Sequence, residues 1–333
     1  MTHSSHSSDL LTHSGGPVSG SAGTRFGFFT DTSVCIGCKA CEVACKEWNH
    51  VPARVTSDFT GHSMDNTGAL GADTWRHVSF VEQPAGHVPA PAGAVPGAPS
   101  GAVGLEWFGD DPGLPAGAHG SHEQREVPTF GGAEPAAPGI TDFRWLMSSD
   151  VCKHCTEAAC LEVCPTGAIF YTEFSTVVVQ DDVCNGCGYC VTACPYGVIE
   201  RRSPGQPGEG GAFKCTMCYD RMRGQQQPAC AQACPTDSIQ FGPLDELRTR
   251  AADRAGDLIA AGVPGVQLYG ADPDSGVGGN GAFFLLLDDP EVYGLPPDPV
   301  TPTRHLGQIW RAAGAAALGV AAAVTVAFAG GRR

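Results

Sequence analysis

Cys184-Asn-Gly-Cys187-Gly-Tyr-Cys190-Val-Thr-Ala-Cys194-Pro195 is the stretch that decides the fold. Its spacing, C-x2-C-x2-C-x3-C-P, is the bacterial ligand run for iron–sulfur clusters. Three thiolates on one short loop reach three corners of a [4Fe-4S] cubane, while the C-x3-C step carries the fourth, Cys194, onto the next turn, facing away. Where such runs come in pairs, the fourth cysteine serves the neighbouring cluster. Gly186 and Gly188 suit the loop because glycine takes positive φ and lets backbone N–H groups turn toward anionic sulfur. One run of this kind implies a second.

Three more runs are present, and together they use every cysteine. Cys35, Cys38, Cys41 and Cys45 repeat the same spacing. Cys152, Cys155, Cys160 and Cys164 give C-x2-C-x4-C-x3-C before Pro165, and Cys215, Cys218, Cys230 and Cys234 give C-x2-C-x11-C-x3-C before Pro235. Sixteen cysteines in four sets of four match the needs of four [4Fe-4S] clusters.

The composition agrees with cluster-stapled loops. Among 333 residues are 45 Gly and 26 Pro, so hydrophobic cores are expected to be small and the clusters to stand in for missing apolar burial. The formal net charge is −15, and each cubane with four thiolates adds about two more negative charges when oxidised. Nucleic acid is therefore excluded as a partner on charge. Disulfides would suit an exported chain, but the first residues carry neither a positive n-region nor an apolar h-region. Structural zinc pairs two separated C-x2-C knuckles and does not pack four cysteines into eleven residues, as the first and third runs do.

Along the chain, residues 1–25 read as a disordered Ser/His/Gly-rich tail, in which His3, His6 and His13 are better explained as a solvated terminus than as a metal site. Arg25–Thr30 alternates as an opening strand, Lys39–Trp48 suits a short helix carrying Cys41 and Cys45, and Ala72–Gln83 reads as a second strand. Residues 84–139 then hold 10 Pro and 12 Gly in 56 positions, a low-complexity insertion whose only cluster of large apolar residues is Leu105, Trp107 and Phe108. A surface loop and a docking anchor for a partner are the two readings of that segment. Ile169–Thr172 and Thr176–Val179 form a hairpin between the second and third runs. Leu244–Ala261 reads as an amphipathic surface helix, and Ala282–Leu287, apolar on both faces, as a buried strand.

Only 19 residues separate Cys164 from Cys184, so the second and third runs close into one two-cluster unit, residues 140–213. The first and fourth runs are left to pair across the chain, as 26–83 with 214–243. Crossing of each fourth cysteine gives the expected ligand sets. They are Cys35, Cys38, Cys41 with Cys234; Cys215, Cys218, Cys230 with Cys45; Cys152, Cys155, Cys160 with Cys194; and Cys184, Cys187, Cys190 with Cys164. The second and third runs would then be the inner half of a four-cluster wire, with the first and fourth closing around it.

Residues 244–304 make a C-terminal extension, and 305–333 are different in kind. Ala312–Ala329 is 18 residues without a charge, flanked by Arg311 and Arg332. At 1.5 Å per residue it spans about 27 Å, close to a bilayer core. With ten alanines it is weakly apolar, so a soluble helix packed on a partner is the alternative to a membrane span. The fold class is thus α+β: two ferredoxin-like [4Fe-4S] dicluster units with long loops, plus one C-terminal transmembrane helix.

In Cys35-Ile-Gly-Cys-Lys-Ala-Cys41 with Ala44-Cys-Lys-Glu-Trp-Asn49, in Lys214-Cys-Thr-Met-Cys-Tyr-Asp-Arg221, in Tyr293-Gly-Leu-Pro296 and in the single C-terminal apolar helix, the sequence resembles a known family. That family is the beta, iron–sulfur subunit of respiratory formate dehydrogenases of the formate dehydrogenase-N type. Two departures stand out. The 84–139 insertion is much longer than the family's link, and Asp237 stands where the family usually has Gly, a position Asp tolerates because it visits the left-handed conformation more readily than most residues.

The resemblance implies a non-catalytic electron-transfer subunit. A catalytic alpha subunit with a molybdenum or tungsten pterin would oxidise formate, and its electrons would pass through four clusters here to a membrane cytochrome b subunit that reduces quinone. It places the cluster domains outside the cytoplasmic membrane, exported folded on the partner's signal; the absent signal peptide fits that topology and a cytoplasmic one equally. The residues themselves show no nucleophile–base pair or substrate pocket. The rival readings are the equivalent subunit of another molybdopterin oxidoreductase, for sulfoxide, polysulfide or tetrathionate, and a non-redox metal-binding scaffold.

Overall fold

The computed structural model describes residues 24–53, 64–65, 67–83 and 144–330. The tail with His3, His6 and His13, and the insertion with Leu105, Trp107 and Phe108, lie outside the described residues.

The polypeptide enters along β1 (Phe26–Asp31), every residue of which is buried. The first cysteine loop leads into α1 (Ala40–Trp48), which carries Cys41 and Cys45 on its buried side. β2 (Arg76–Gln83) and β3 (Arg144–Val151) form an antiparallel ladder in the register Arg76↔Val151 to Gln83↔Arg144. The backbone therefore departs at Gln83 and returns at Arg144 from directly opposed positions, whatever lies between.

The cysteine-rich middle is built of pieces too short to stand alone: α2 (Ala159–Glu162), the hairpin β4 (Ile169–Tyr171) with β5 (Val177–Val179), α3 (Tyr189–Ala193), the hairpin β6 (Glu200–Arg201) with β7 (Ala212–Phe213), α4 (Tyr219–Arg223) and α5 (Ala229–Gln232). Two-stranded hairpins and single-turn helices are marginal in water without a core to lean on. Here their buried side chains pack around cysteines. Ala158, Ile169, Val177 and Ile199 share one apolar cluster with Cys190 and, at its edge, Cys155, Cys160, Cys164, Cys184 and Cys194.

β8 (Ile239–Pro243), α6 (Leu244–Ala260), β9 (Gln267–Tyr269) and β10 (Ala282–Leu286) complete the body. β1 lies between antiparallel β8 and parallel β10, and β9 closes the far edge, giving the order β8-β1-β10-β9. β10 is wholly buried because both its faces are covered. Phe283 and Leu285 meet Leu244, Leu247 and Ala251 of α6, while Phe284 and Leu286 meet Leu146 and Tyr293. The apolar spacing Leu244, Leu247, Ala251, Leu258 and Ile259 puts Ile259 on the buried face of α6, but it is 60% exposed.

α7 (Leu306–Gly330) is long and apolar enough to cross a membrane. Its Leu318, Val320, Val326 and Phe328 are exposed. The helix extends beyond the charge-free 312–329 stretch at its N-terminal end, taking in Ile309 and Trp310.

Candidate cluster-binding site

All four cysteine loops share one backbone device. The residue just before the second cysteine has positive φ in every run: Gly37 (+64°), His154 (+44°), Gly186 (+70°) and Met217 (+57°). Only two of the four are glycines, so packing holds His154 and Met217 in a conformation that costs a non-glycine residue about 1 kcal/mol or more. The turn points backbone donors at sulfur: Met217 N–H donates to Cys215 Sγ at 3.2 Å. Asp237, in the place where the family usually has Gly, also lies in the left-handed region, at φ +51°.

The fold gathers the sixteen thiols into four groups, each mixing two runs. Cys35, Cys38, Cys41 and Cys234 line one pocket. Cys152, Cys155, Cys160 and Cys194 line another. The proline after each incoming cysteine, Pro235 or Pro195, walls the same cavity. Cys45 faces Cys215, Cys230 and Cys218, and Cys190 faces Cys184, Cys187 and Cys164.

The groups also lie within electrostatic reach of one another in a definite order. Cys41 of the first group neighbours Cys230, Cys215 neighbours Cys152, and Cys160 neighbours Cys190. The thiol groups therefore succeed one another from the unit of the first and fourth runs into the unit of the second and third. This corrects the expectation that the latter pair would be the inner half. Its Cys184, Cys187, Cys190 and Cys164 group forms an end, where Cys187 and the neighbouring Tyr189 are exposed.

Electrostatics fit anionic clusters. Arg76, 2% exposed, donates from Nη2 to Cys230 Sγ at 3.3 Å and from Nη1 to Ser149, whose hydroxyl lies 3.1 Å from Cys41 Sγ. Lys214, equally buried, donates to the carbonyls of Val177 and Cys215 and faces Cys152 and Cys160. Asn49 Nδ2 lies 3.7 Å from Cys45 Sγ and 3.6 Å from Cys218 Sγ, so one amide serves two thiols of the second group. Among the described residues no three side chains converge as a single metal ion requires.

Burial pushes the Cys41 thiol up to about 11 against the pull of Arg76 and Ser149, and Cys160 up to about 12 against that of Lys214. A coordinated metal removes such a proton outright. Burial works against charge on Arg76 too, but the neighbouring Cys230, Cys41 and Cys215 outweigh it and hold the guanidinium above its ordinary range. His154 is driven well below the histidine range by burial and by Lys214, Arg25 and Arg76, so it is neutral. Its Nδ1 accepts from Val177 N–H at 3.1 Å.

Sequence reading named the sixteen cysteines and missed the residues that serve them. Arg76, Ser149 and Asn49 come from outside the cysteine spacings, and Lys214 stands next to Cys215. The signal available for Arg76 was an arginine inside the apolar strand segment Trp75-Arg-His-Val78 with no acid beside it. For Ser149 there was none.

Known proteins of similar sequence are iron–sulfur proteins. Two family models, each described as a 4Fe-4S dicluster domain, match residues 34–168 and 143–244. The formate dehydrogenase iron–sulfur subunit of Haemophilus influenzae is 33% identical over 273 residues, covering 81% of the present sequence and 68% of that protein. The iron–sulfur subunit of the nitrate-inducible formate dehydrogenase of Escherichia coli is 32% identical over 290 residues, covering 85% and 76%. A subunit of the anaerobic dimethyl sulfoxide reductase of Escherichia coli is 31% identical over 232 residues, covering 70% and 80%. The protein belongs to the family of formate dehydrogenase iron–sulfur subunits.

Proposed function

We propose that this protein binds four [4Fe-4S] clusters in the four thiol groups and relays electrons from a formate-oxidising subunit with a molybdenum or tungsten pterin to a membrane cytochrome b subunit. The ligand sets are Cys35, Cys38, Cys41 and Cys234; Cys45, Cys215, Cys218 and Cys230; Cys152, Cys155, Cys160 and Cys194; Cys164, Cys184, Cys187 and Cys190. The observation that carries the reading is the succession of these groups, with Cys41 in electrostatic reach of Cys230, Cys215 of Cys152 and Cys160 of Cys190.

When bound, each cluster takes up and releases one electron at a time, which splits a two-electron oxidation into single steps. The protein's own residues hold the groups at fixed separation, exclude water from the second group and supply donors to sulfur, which together set the potentials. α7 anchors the subunit as a single membrane pass beside the cytochrome.

The test is reduction by substrate. In the purified complex, formate should bring up the paramagnetic signals of reduced clusters in this subunit. Signals that appear with dithionite but not with formate would move it to a sibling complex acting on a sulfoxide, polysulfide or tetrathionate.

A further inference from the structure

A lone charge in a protein interior costs several kcal/mol unless something of opposite sign faces it. Among the described residues three cationic side chains are 2% exposed or less: Arg76, Lys153 and Lys214. Lys153 pairs with Asp150. Among the described residues Arg76 and Lys214 have no carboxylate partner; their neighbours are carbonyls, a serine, cysteine sulfur and, for Arg76, the ring of Phe28, whose centroid lies 4.9 Å from Cζ. Arg76 Nε has no hydrogen-bond partner at all.

Their positions are not arbitrary. Arg76 stands between the first and second thiol groups, bonded to Cys230 Sγ and linked through Ser149 to Cys41 Sγ. Lys214 stands between the second and third, next to Cys215 and facing Cys152 and Cys160. The Cys160–Cys190 junction with the fourth group has no buried cation of this kind among the described residues.

We infer that Arg76 and Lys214 are positioning charges for electron transfer, each raising the reduction potential of the two clusters it separates, so that the second cluster feels both and the fourth neither. This rests on the four-cluster reading. In each transfer one electron leaves one cluster and enters the next, and no bond or proton moves. The electron adds a negative charge to a cluster that already carries about two, and a fixed cation in a low-dielectric interior stabilises that added charge strongly. Uncompensated burial of the second group would otherwise disfavour its reduction and put a barrier in the middle of the wire.

The test is a redox titration of the full-length protein with its clusters, followed by paramagnetic resonance with dithionite as reductant. Arg76→Gln should lower two of the four midpoint potentials, each by tenfold or more in the one-electron equilibrium constant, about 59 mV. Lys214→Gln should also lower two, one of them shared with Arg76→Gln, and one cluster should move in neither. Arg76→Lys and Lys214→Arg should stay near wild type. Four potentials moving together, or none moving with all four clusters present, would overturn the inference. If the glutamine variants do not assemble clusters, the charge-keeping variants must; equal failure of both makes the role one of packing and also overturns it. A wild-type protein without four reducible clusters would instead defeat the cluster reading itself.

Discussion

Arg76 Nη2 lies 3.3 Å from Cys230 Sγ, and its Nη1 shares Ser149 with Cys41, so one side chain from β2 ties a thiol of the first group to a thiol of the second. Arg76 is contributed by no cysteine run, yet it is buried beside thiols of two of them, the first and the fourth. Arg76 and Lys214 are thus buried cations set beside cysteine sulfur.

Iron removal should therefore do more than empty the cavities. Chelation leaves Arg76 and Lys214 buried without a counter-charge, at about 3–5 kcal/mol each. The single-turn helices α2, α3, α4 and α5 also lose the groups they pack around. Calorimetry of the stripped protein should show loss of the cooperative transition, and a transition within a few degrees of the loaded form would contradict this.

Crossing of the fourth cysteine is open to a single substitution. Cys45 faces Cys215, Cys230 and Cys218. Cys45→Ser should alter or abolish one cluster signal, the one also lost in Cys215→Ser, and leave untouched the signal that depends on Cys35. The opposite pattern would break the pairing of the first and fourth runs.

Gly186→Ala should cost about 1–3 kcal/mol. Gly186 has φ +70°, and a Cβ there would stand 2.5 Å from the carbonyl oxygen of Gly210. Damage should centre on the fourth group, seen as loss of one cluster with the other three retained. An unchanged cluster content and thermal midpoint would show that the loop relaxes.

Much of this was legible in the sequence, and the reason is chemical. A cubane fixes the spacing of its ligands, so the cysteine runs carry their geometry with them. β10 was readable because it is apolar on both faces, and α6 because Leu244, Leu247 and Ala251 recur on one face. β3 was not, because its pattern is inverted: Trp145 is 44% exposed while Ser148 and Ser149 are buried. Ser149 is inside to bond Cys41 and Arg76, a requirement that hydrophobic periodicity cannot express. The order of the thiol groups was likewise hidden, since spacing in sequence says which cysteines share a cluster but not which clusters are neighbours.

Because Gln83 and Arg144 are paired, residues 84–143 can be replaced by a short turn without disturbing the ladder. The shortened protein should keep all four clusters and gain up to about 2 kcal/mol from cheaper loop closure. Retained clusters with a lost partner subunit would assign the insertion to docking, while loss of clusters would show that it supports the first unit.

The most direct measurement is a spin and iron count on the dithionite-reduced full-length protein, with acid-labile sulfide determined on the same sample. A four-cluster wire requires four irons and four sulfides for each of the four thiol groups, and four separately titrating one-electron reductions. Fewer than four reducible clusters per molecule, or zinc in place of iron in any group, would contradict it.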